Sequence, residues 1–254
     1  MKKFIIACCF ALFPVSVLAA GGAVHLDHID VDATNKASLQ SGAQIFTNYC
    51  MGCHSARFSR YERVADDLGI PHDLYMENLV FNDDKIGSLM TIAMTKDHGK
   101  QFFGAAPPDL TMVSRVRQPD WLYTYLRTFY RDDSRPFGVN NKTFPNVGMP
   151  HALLDLQGVQ ECAPGPLAGD AKLDTLTGET IAEDPCGSLE VIEPGLMTPE
   201  EYDQAMYDLV NFLAYTAEPM AEDRKRIGVY VLLFIALFGI FAYLLNREYW
   251  KDIH

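Results

Sequence analysis

Nineteen consecutive residues near the C-terminus, Ile227–Leu245, carry no charge. As a helix such a run is about 29 Å long at 1.5 Å per residue, the thickness of a bilayer's hydrocarbon core. A helix buried in a soluble core would keep a polar stripe, and this run has none. Arg224, Lys225 and Arg226 precede it, Arg247 and Lys251 follow it, and Tyr243, Tyr249 and Trp250 supply interfacial aromatics. The expectation is a transmembrane helix over 227–245 with a short tail, 246–254.

The other end of the chain reads as a signal peptide over 1–20. Lys2 and Lys3 form a basic start, Phe4–Phe13 is apolar, and Val17-Leu18-Ala19-Ala20 offers small residues for cleavage. Export would leave residues 21–222 outside and only the tail inside. The Arg224-Lys225-Arg226 cluster then lies on the exported side, against the positive-inside tendency. The signal peptide takes precedence, because it sets topology before the later segment emerges. The place expected for the chain is the bacterial inner (cell) membrane, single-pass, with the exported domain in the periplasm.

The 21 Lys+Arg against 33 Asp+Glu give a formal charge of −12. That balance argues against a nucleic-acid binder, which needs a basic face to neutralise phosphates. It suits a basic protein partner. Hydrophobic residues at 48% argue for a packed globular part.

Of the six cysteines, Cys8 and Cys9 fall in the signal segment. Cys162 and Cys186 flank a Pro/Gly-rich stretch and are expected to form a disulfide in an oxidising compartment. Cys50-Met51-Gly52-Cys53-His54 is a C-x-x-C-H motif, the attachment signature of a c-type haem. Cys50 and Cys53 would form thioethers with the haem vinyl groups, and His54 would reach the iron as proximal ligand. The competing chemistries are a redox dithiol and half of a zinc site. Zinc would need further ligands, and the other exported cysteines lie more than a hundred residues away. One covalently attached haem c is the cofactor expected.

Helical spacing of Leu39, Gly42, Ile45, Phe46 and Tyr49 predicts a helix ending at the motif, with Gly42 allowing another helix to approach closely. A second helix is expected over Pro119–Tyr130, with Leu122, Tyr125, Leu126 and Phe129 on one face. Thr198-Pro199-Glu200-Glu201 is a capping box that opens a third, with an apolar face of Tyr202, Ala205, Met206, Leu209, Phe212 and Leu213. That helix should stop near Glu218-Pro219. Between about 150 and 197 lies a loop-rich insertion, with Leu189–Ile192 as a short strand.

Three side chains compete for the sixth iron position. Met149 lies in Asn146-Val147-Gly148-Met149-Pro150, a loop whose Gly and Pro can hold a thioether against a haem face. Met197 directly precedes a helix cap, and His151 stands two residues beyond Met149. Met206 belongs to a packed helix face. His25, His28, His72 and His98 show no ligand pattern.

With these residues in view, the chain resembles the cytochrome c1 family, the haem subunit of the quinol:cytochrome c oxidoreductase (cytochrome bc1) complex. The resemblance rests on Tyr49–His54, on Pro107-Pro108-Asp109-Leu110, on Phe144–Pro150, and on Asn211–Pro219 leading into one anchor. It implies a mainly α, cytochrome c-like haem domain with a loop-rich insertion and a single C-terminal transmembrane helix. The first and last helices of that domain would cross against the haem edge. It supports Met149 as the axial ligand, puts Pro108 in the haem pocket and makes Arg117 the partner of a haem propionate. The second cysteine pair departs from some relatives, which place theirs before the Met149 segment.

The resemblance further implies electron transfer without bond chemistry, from a Rieske iron–sulfur protein to a c-type cytochrome acceptor. The implied partners are a cytochrome b subunit, the Rieske protein, that acceptor and membrane lipid, with no nucleic acid. His/Met ligation suits a late, high-potential carrier, and a saturated iron disfavours O₂ chemistry. Acidity could steer a basic acceptor, with Asp66-Asp67 and Asp83-Asp84 as candidate patches. The alternatives are a free-standing membrane-anchored carrier to an oxidase or reductase, and a haem-based ligand-binding sensor.

Overall fold

The structure, a computed structural model, describes residues 25–163 and 186–251. The expected signal peptide at 1–20, the middle of the insertion and the last three residues of the tail lie outside the described residues.

Two helices organise the domain. Helix α1 (Lys36–Ile45) starts at Asn35, whose side chain accepts from Ser38 N, and runs directly into a wider π-helical turn, Phe46–Cys50. Within that turn Met51 N reaches back five residues to Phe46 O at 3.0 Å. Such one-turn bulges cluster at functional sites, and this one delivers the chain to the cysteine motif.

Five short helices follow: α2 (Tyr61–Leu68), α3 (His72–Leu79), α4 (Lys96–Phe103), α5 (Val113–Arg117) and α6 (Pro119–Arg127). Beyond the small α7 (Leu154–Gln157) comes the long α8 (Pro199–Ala217). Thr198 and Glu201 cap α8 reciprocally, as the sequence predicts, and Tyr202, Ala205, Met206, Leu209, Phe212 and Leu213 are all buried.

Helices α1 and α8 cross in contact. A Cβ built on Gly42 would lie 2.1 Å from Asp208 O and 2.7 Å from Phe212 Cβ, so only glycine permits this approach. Phe46 packs on Phe212 with ring centroids 5.6 Å apart. A strap at 25–35 then closes the outer side. Asn211, fully buried, accepts from Asp32 N and donates to Asp32 O, both at 2.9 Å. Arg127 bridges Asp27 and Asp203 at 2.6 Å each, tying the strap to α6 and α8.

Among the described residues three antiparallel pairs complete the domain: β1 (Ala56–Arg60) with β2 (Leu89–Met90), β3 (Phe129–Arg131) with β4 (Val139–Asn141), and β5 (Gly158–Ala163) with β6 (Ser188–Pro194). The second pair corrects the sequence reading, which carried α6 on to Tyr130. Asn141 Nδ2 donates to Tyr125 O at 2.8 Å, and Thr128 Oγ1 donates to Thr124 O at 2.8 Å. These side chains satisfy the terminal carbonyls of α6 and turn Phe129 into a strand. The third pair extends the expected strand at Leu189–Ile192 and joins Cys162 to Cys186 across the hairpin, with Cα atoms 5.0 Å apart.

Helix α8 stops at Ala217, and α9 (Ala221–Tyr249) begins after Glu218, Pro219 and Met220. At 29 residues α9 is long and apolar enough to cross a membrane, and none of its residues is buried. Glu218 pairs with Arg115 at 2.6 Å and with Arg224, linking α5 to the first turn of α9. Lys225 and Arg226 pair with Glu222 and Asp223 on the same helix. The basic cluster ahead of the apolar run is therefore ion-paired throughout.

Candidate haem site

The π-helical turn and the loop after it set the cysteine motif. Cys53 N and His54 N both donate to Cys50 O, at 3.0 and 2.8 Å, folding Cys50–His54 into a tight turn. Cys50, Cys53 and His54 line a mainly apolar cavity of about 370 Å³. Pro108, Arg117, Met149 and, from α8, Leu209 and Leu213 line it as well. The structure thus brings together every residue that the sequence reading assigned to the haem. Neither Met197 nor His151 lines this cavity.

Burial, with Cys53 close by, pushes the Cys50 thiol up to about 12. A thiol held protonated is a poor redox nucleophile, which argues against a redox dithiol. His54 is buried, and its Nδ1 lies 2.7 Å from Pro108 O. A carbonyl can only accept, so Nδ1 carries the proton and Nε2 keeps its lone pair. Desolvation outweighs the Pro108 hydrogen bond and lowers the His54 pKa, favouring the neutral imidazole that a metal requires. Pro108 acts through its carbonyl, and its loop is pinned: Asp109 accepts from Arg57 N at 2.8 Å and Thr111 N at 3.1 Å, and Leu110 N donates to Ser55 O at 2.8 Å.

The loop carrying Met149 is held from the other side. Asn146 has φ of 61°, a conformation that asparagine tolerates better than most residues. Its N–H donates to Asn140 Oδ1 at 2.8 Å, and Arg135 donates to its side-chain and backbone oxygens at 3.2 and 3.1 Å. Tyr125 OH donates to Met149 Sδ at 3.4 Å.

The rivals of Met149 are engaged elsewhere. His151 Nε2 meets Gln157 Oε1 at 2.8 Å, its ring stacks on Phe129 at 4.7 Å, and burial lowers its pKa to about 4. Met197 packs against the hydrophobic core, and Met206 is fully buried in α8.

Arg117 makes no salt bridge among the described residues. Its guanidinium stacks over Trp121 at 4.8 Å and Phe144 at 5.6 Å, leaving N–H donors at the cavity wall. Trp121 in turn stacks on Tyr125 at 4.9 Å, with 9° between the ring planes. This aromatic column, Arg117–Trp121–Tyr125, went unnoticed in the sequence, although the i, i+4 spacing of Trp121 and Tyr125 puts both rings on one helix face. Of the acidic candidates, Asp67 accepts from Arg63 and Tyr215 and Asp66 faces His72, so that pair is partly neutralised.

Two thiols, an imidazole with an available Nε2, a thioether and an unpaired guanidinium around one apolar cavity fit the donor set of a c-type haem.

Comparison with known proteins agrees. The model of the Cytochrome C1 family matches residues 29–253. The chain is 49% identical over 254 residues to cytochrome c1 of Allochromatium vinosum, covering 100% of both. It is 42% identical to the ammonia monooxygenase gamma subunit of Nitrosomonas europaea, covering 100% of this chain and 99% of the relative. Cytochrome c1 of Rhodobacter capsulatus is 25% identical over 98% of this chain and 97% of its own. Among solved structures, a chain of a hyperthermophilic respiratory Complex III covers 100% of this chain and 98% of its own at 14% identity, with a TM-score of 0.40. The family match spans the cysteine motif, the Met149 loop and the apolar helix alike, and the chain belongs to the cytochrome c1 family, which places it among c-type haem proteins of respiratory electron transport.

Proposed function

We propose that this chain is the haem subunit of a quinol:cytochrome c oxidoreductase, taking electrons from a Rieske iron–sulfur protein and passing them to a c-type cytochrome. The observation that carries this reading is the convergence of Cys50, Cys53, His54 and Met149 on one apolar cavity.

In this reading Cys50 and Cys53 would hold one haem covalently, and His54 and Met149 would supply its iron ligands. Haem supplies a one-electron ferric/ferrous couple. Pro108 fixes the tautomer and ring plane of His54 through its carbonyl. Arg117, presented by its aromatic stack, neutralises a propionate. The apolar walls from α8 exclude water and favour the less charged, reduced state.

Residues 1–20 are a removed signal peptide, 21–222 the periplasmic haem domain, 227–245 the span of a bacterial inner membrane, and 246–254 the cytoplasmic tail. The length, hydropathy and full exposure of α9 support the anchor. Docking against a cytochrome b subunit and lipid would cover that helix. The Cys162–Cys186 disulfide braces the insertion in an oxidising compartment.

A denaturing gel of membranes, stained for haem peroxidase activity, should show a band near the mass of the processed chain. Mild-detergent purification should bring down a b-type cytochrome and an iron–sulfur protein with it. Complete loss of haem on acid–acetone extraction would refute covalent attachment. Purification of the haem protein alone would favour a free-standing carrier.

A further inference from the structure

We propose that Tyr125 is a positioning residue for the axial thioether: its hydroxyl hydrogen-bonds Met149 Sδ, aims one sulfur lone pair into the cavity and weakens the sulfur as a donor. The inference rests on the reading of Met149 as an axial ligand and deepens it.

A thioether sulfur has two lone pairs and accepts hydrogen bonds weakly. Tyr125 OH lies 3.4 Å from that sulfur, and no other hydrogen bond to it is made among the described residues. Tyr125 is half-buried and its hydroxyl meets the Met149 sulfur, so ring and sulfur hold each other. The ring itself has little freedom. It stacks on Trp121 at 4.9 Å, meets Phe129 edge-on at 5.1 Å, and its backbone carbonyl is held by Asn141. With one lone pair engaged by Tyr125, the other is left for the cavity that both residues line.

The hydrogen bond also has an electronic consequence. It draws density from the sulfur, and a poorer donor stabilises the ferric state less, so the potential is held up. The same column connects Tyr125 through Trp121 to Arg117, so the residue assigned to a propionate and the donor to the axial sulfur are set by one stack.

Tyr125→Phe removes the hydroxyl and keeps the ring. In the full-length holoprotein in membranes, it should keep its haem, and its reduction potential should fall. A tenfold change in the ferrous:ferric ratio at fixed redox buffer corresponds to about 59 mV for one electron, and a several-fold change is expected. In a Met149→Leu background, Tyr125→Phe should shift nothing further, because the sulfur through which it acts is gone. An unchanged potential in Tyr125→Phe, an equal shift in both backgrounds, or loss of haem from Tyr125→Phe would each overturn the proposal. If Met149→Leu alone left spectrum and potential unchanged, the axial assignment would fall first and take this inference with it.

Discussion

Gly42 and Asp208 meet backbone to backbone, with room for no more than a hydrogen between the α1 Cα and the α8 carbonyl. The crossing carries the site. Helix α1 leads through the π turn to Cys50, while α8 supplies Leu209 and Leu213 to the cavity wall. Gly42→Ala forces the helices apart, and overpacking of this kind costs about 1–3 kcal/mol. Denaturant unfolding of the detergent-solubilised holoprotein should show a lower midpoint. An unchanged midpoint would mean that the crossing is not a tight constraint.

His28 and Asp120 form a second link between the strap and α6, with Nδ1 3.0 Å from Oδ2. The hydrogen bond to Asp120 raises the His28 pKa above its ordinary value, and the same bond lowers that of Asp120. The signs follow from linkage. The His28 contribution is fully present below its unfolded pKa and is lost as pH rises through the raised folded value. The Asp120 contribution is present above its unfolded pKa and is lost as pH falls through the lowered folded value. The strap is therefore best held between the carboxylate range and the raised His28 pKa. In an NMR titration the His28 ring should titrate above 6.5, and Asp120→Asn should bring it down. A midpoint indifferent to Asp120→Asn would remove the link.

The disulfide gives a third test. Cys162 and Cys186 are 24 residues apart, and closing such a loop contributes ~3 kcal/mol in the chain-entropy model. The β5–β6 pair already aligns the strands, and none of its described residues lines the cavity. Cys162→Ser with Cys186→Ser should lower the thermal midpoint while leaving the haem spectrum intact. A spectrum that changed with the pair would tie the hairpin to the site.

What was legible in the sequence was local or carried by residue chemistry. The capping box at Thr198, the small residue at Gly42 and the apolar face of α8 each follow from spacing within one helix. The cysteine motif and the Met149 loop are each set in a few residues, and the structure brings both to one cavity. What was not legible depends on partners distant in the chain. The end of α6 is set by Asn141, which reaches back to Tyr125 O, so helix periodicity alone carried it too far. His54 gains its acceptor from Pro108, 54 residues on, and the role of that proline as a carbonyl cannot be seen in its side chain. The basic cluster at Arg224–Arg226 looked like a conflict with topology. Two of its three partners, Glu222 and Asp223, stand at i, i+3 spacing and could have been read as ion pairs.

The remaining prediction concerns Met149, which separates an electron carrier from a ligand-binding haem protein. Leucine has similar volume and polarity, so Met149→Leu should fold and keep its cavity walls. Tyr125 would lose its sulfur acceptor, a cost of about 1 kcal/mol, too small to unfold the domain. A neutral thioether favours ferrous iron, so removing it should lower the reduction potential. With His151 stacked on Phe129 and bonded to Gln157, no described imidazole stands ready to replace the sulfur. The reduced variant should therefore bind CO, while the unmodified protein should not, and on the proposed role its electron transfer from a Rieske protein should slow. Unchanged potential with no CO binding in Met149→Leu would move the ligand role to Met197 or His151. CO binding by the unmodified protein would favour the sensor reading instead.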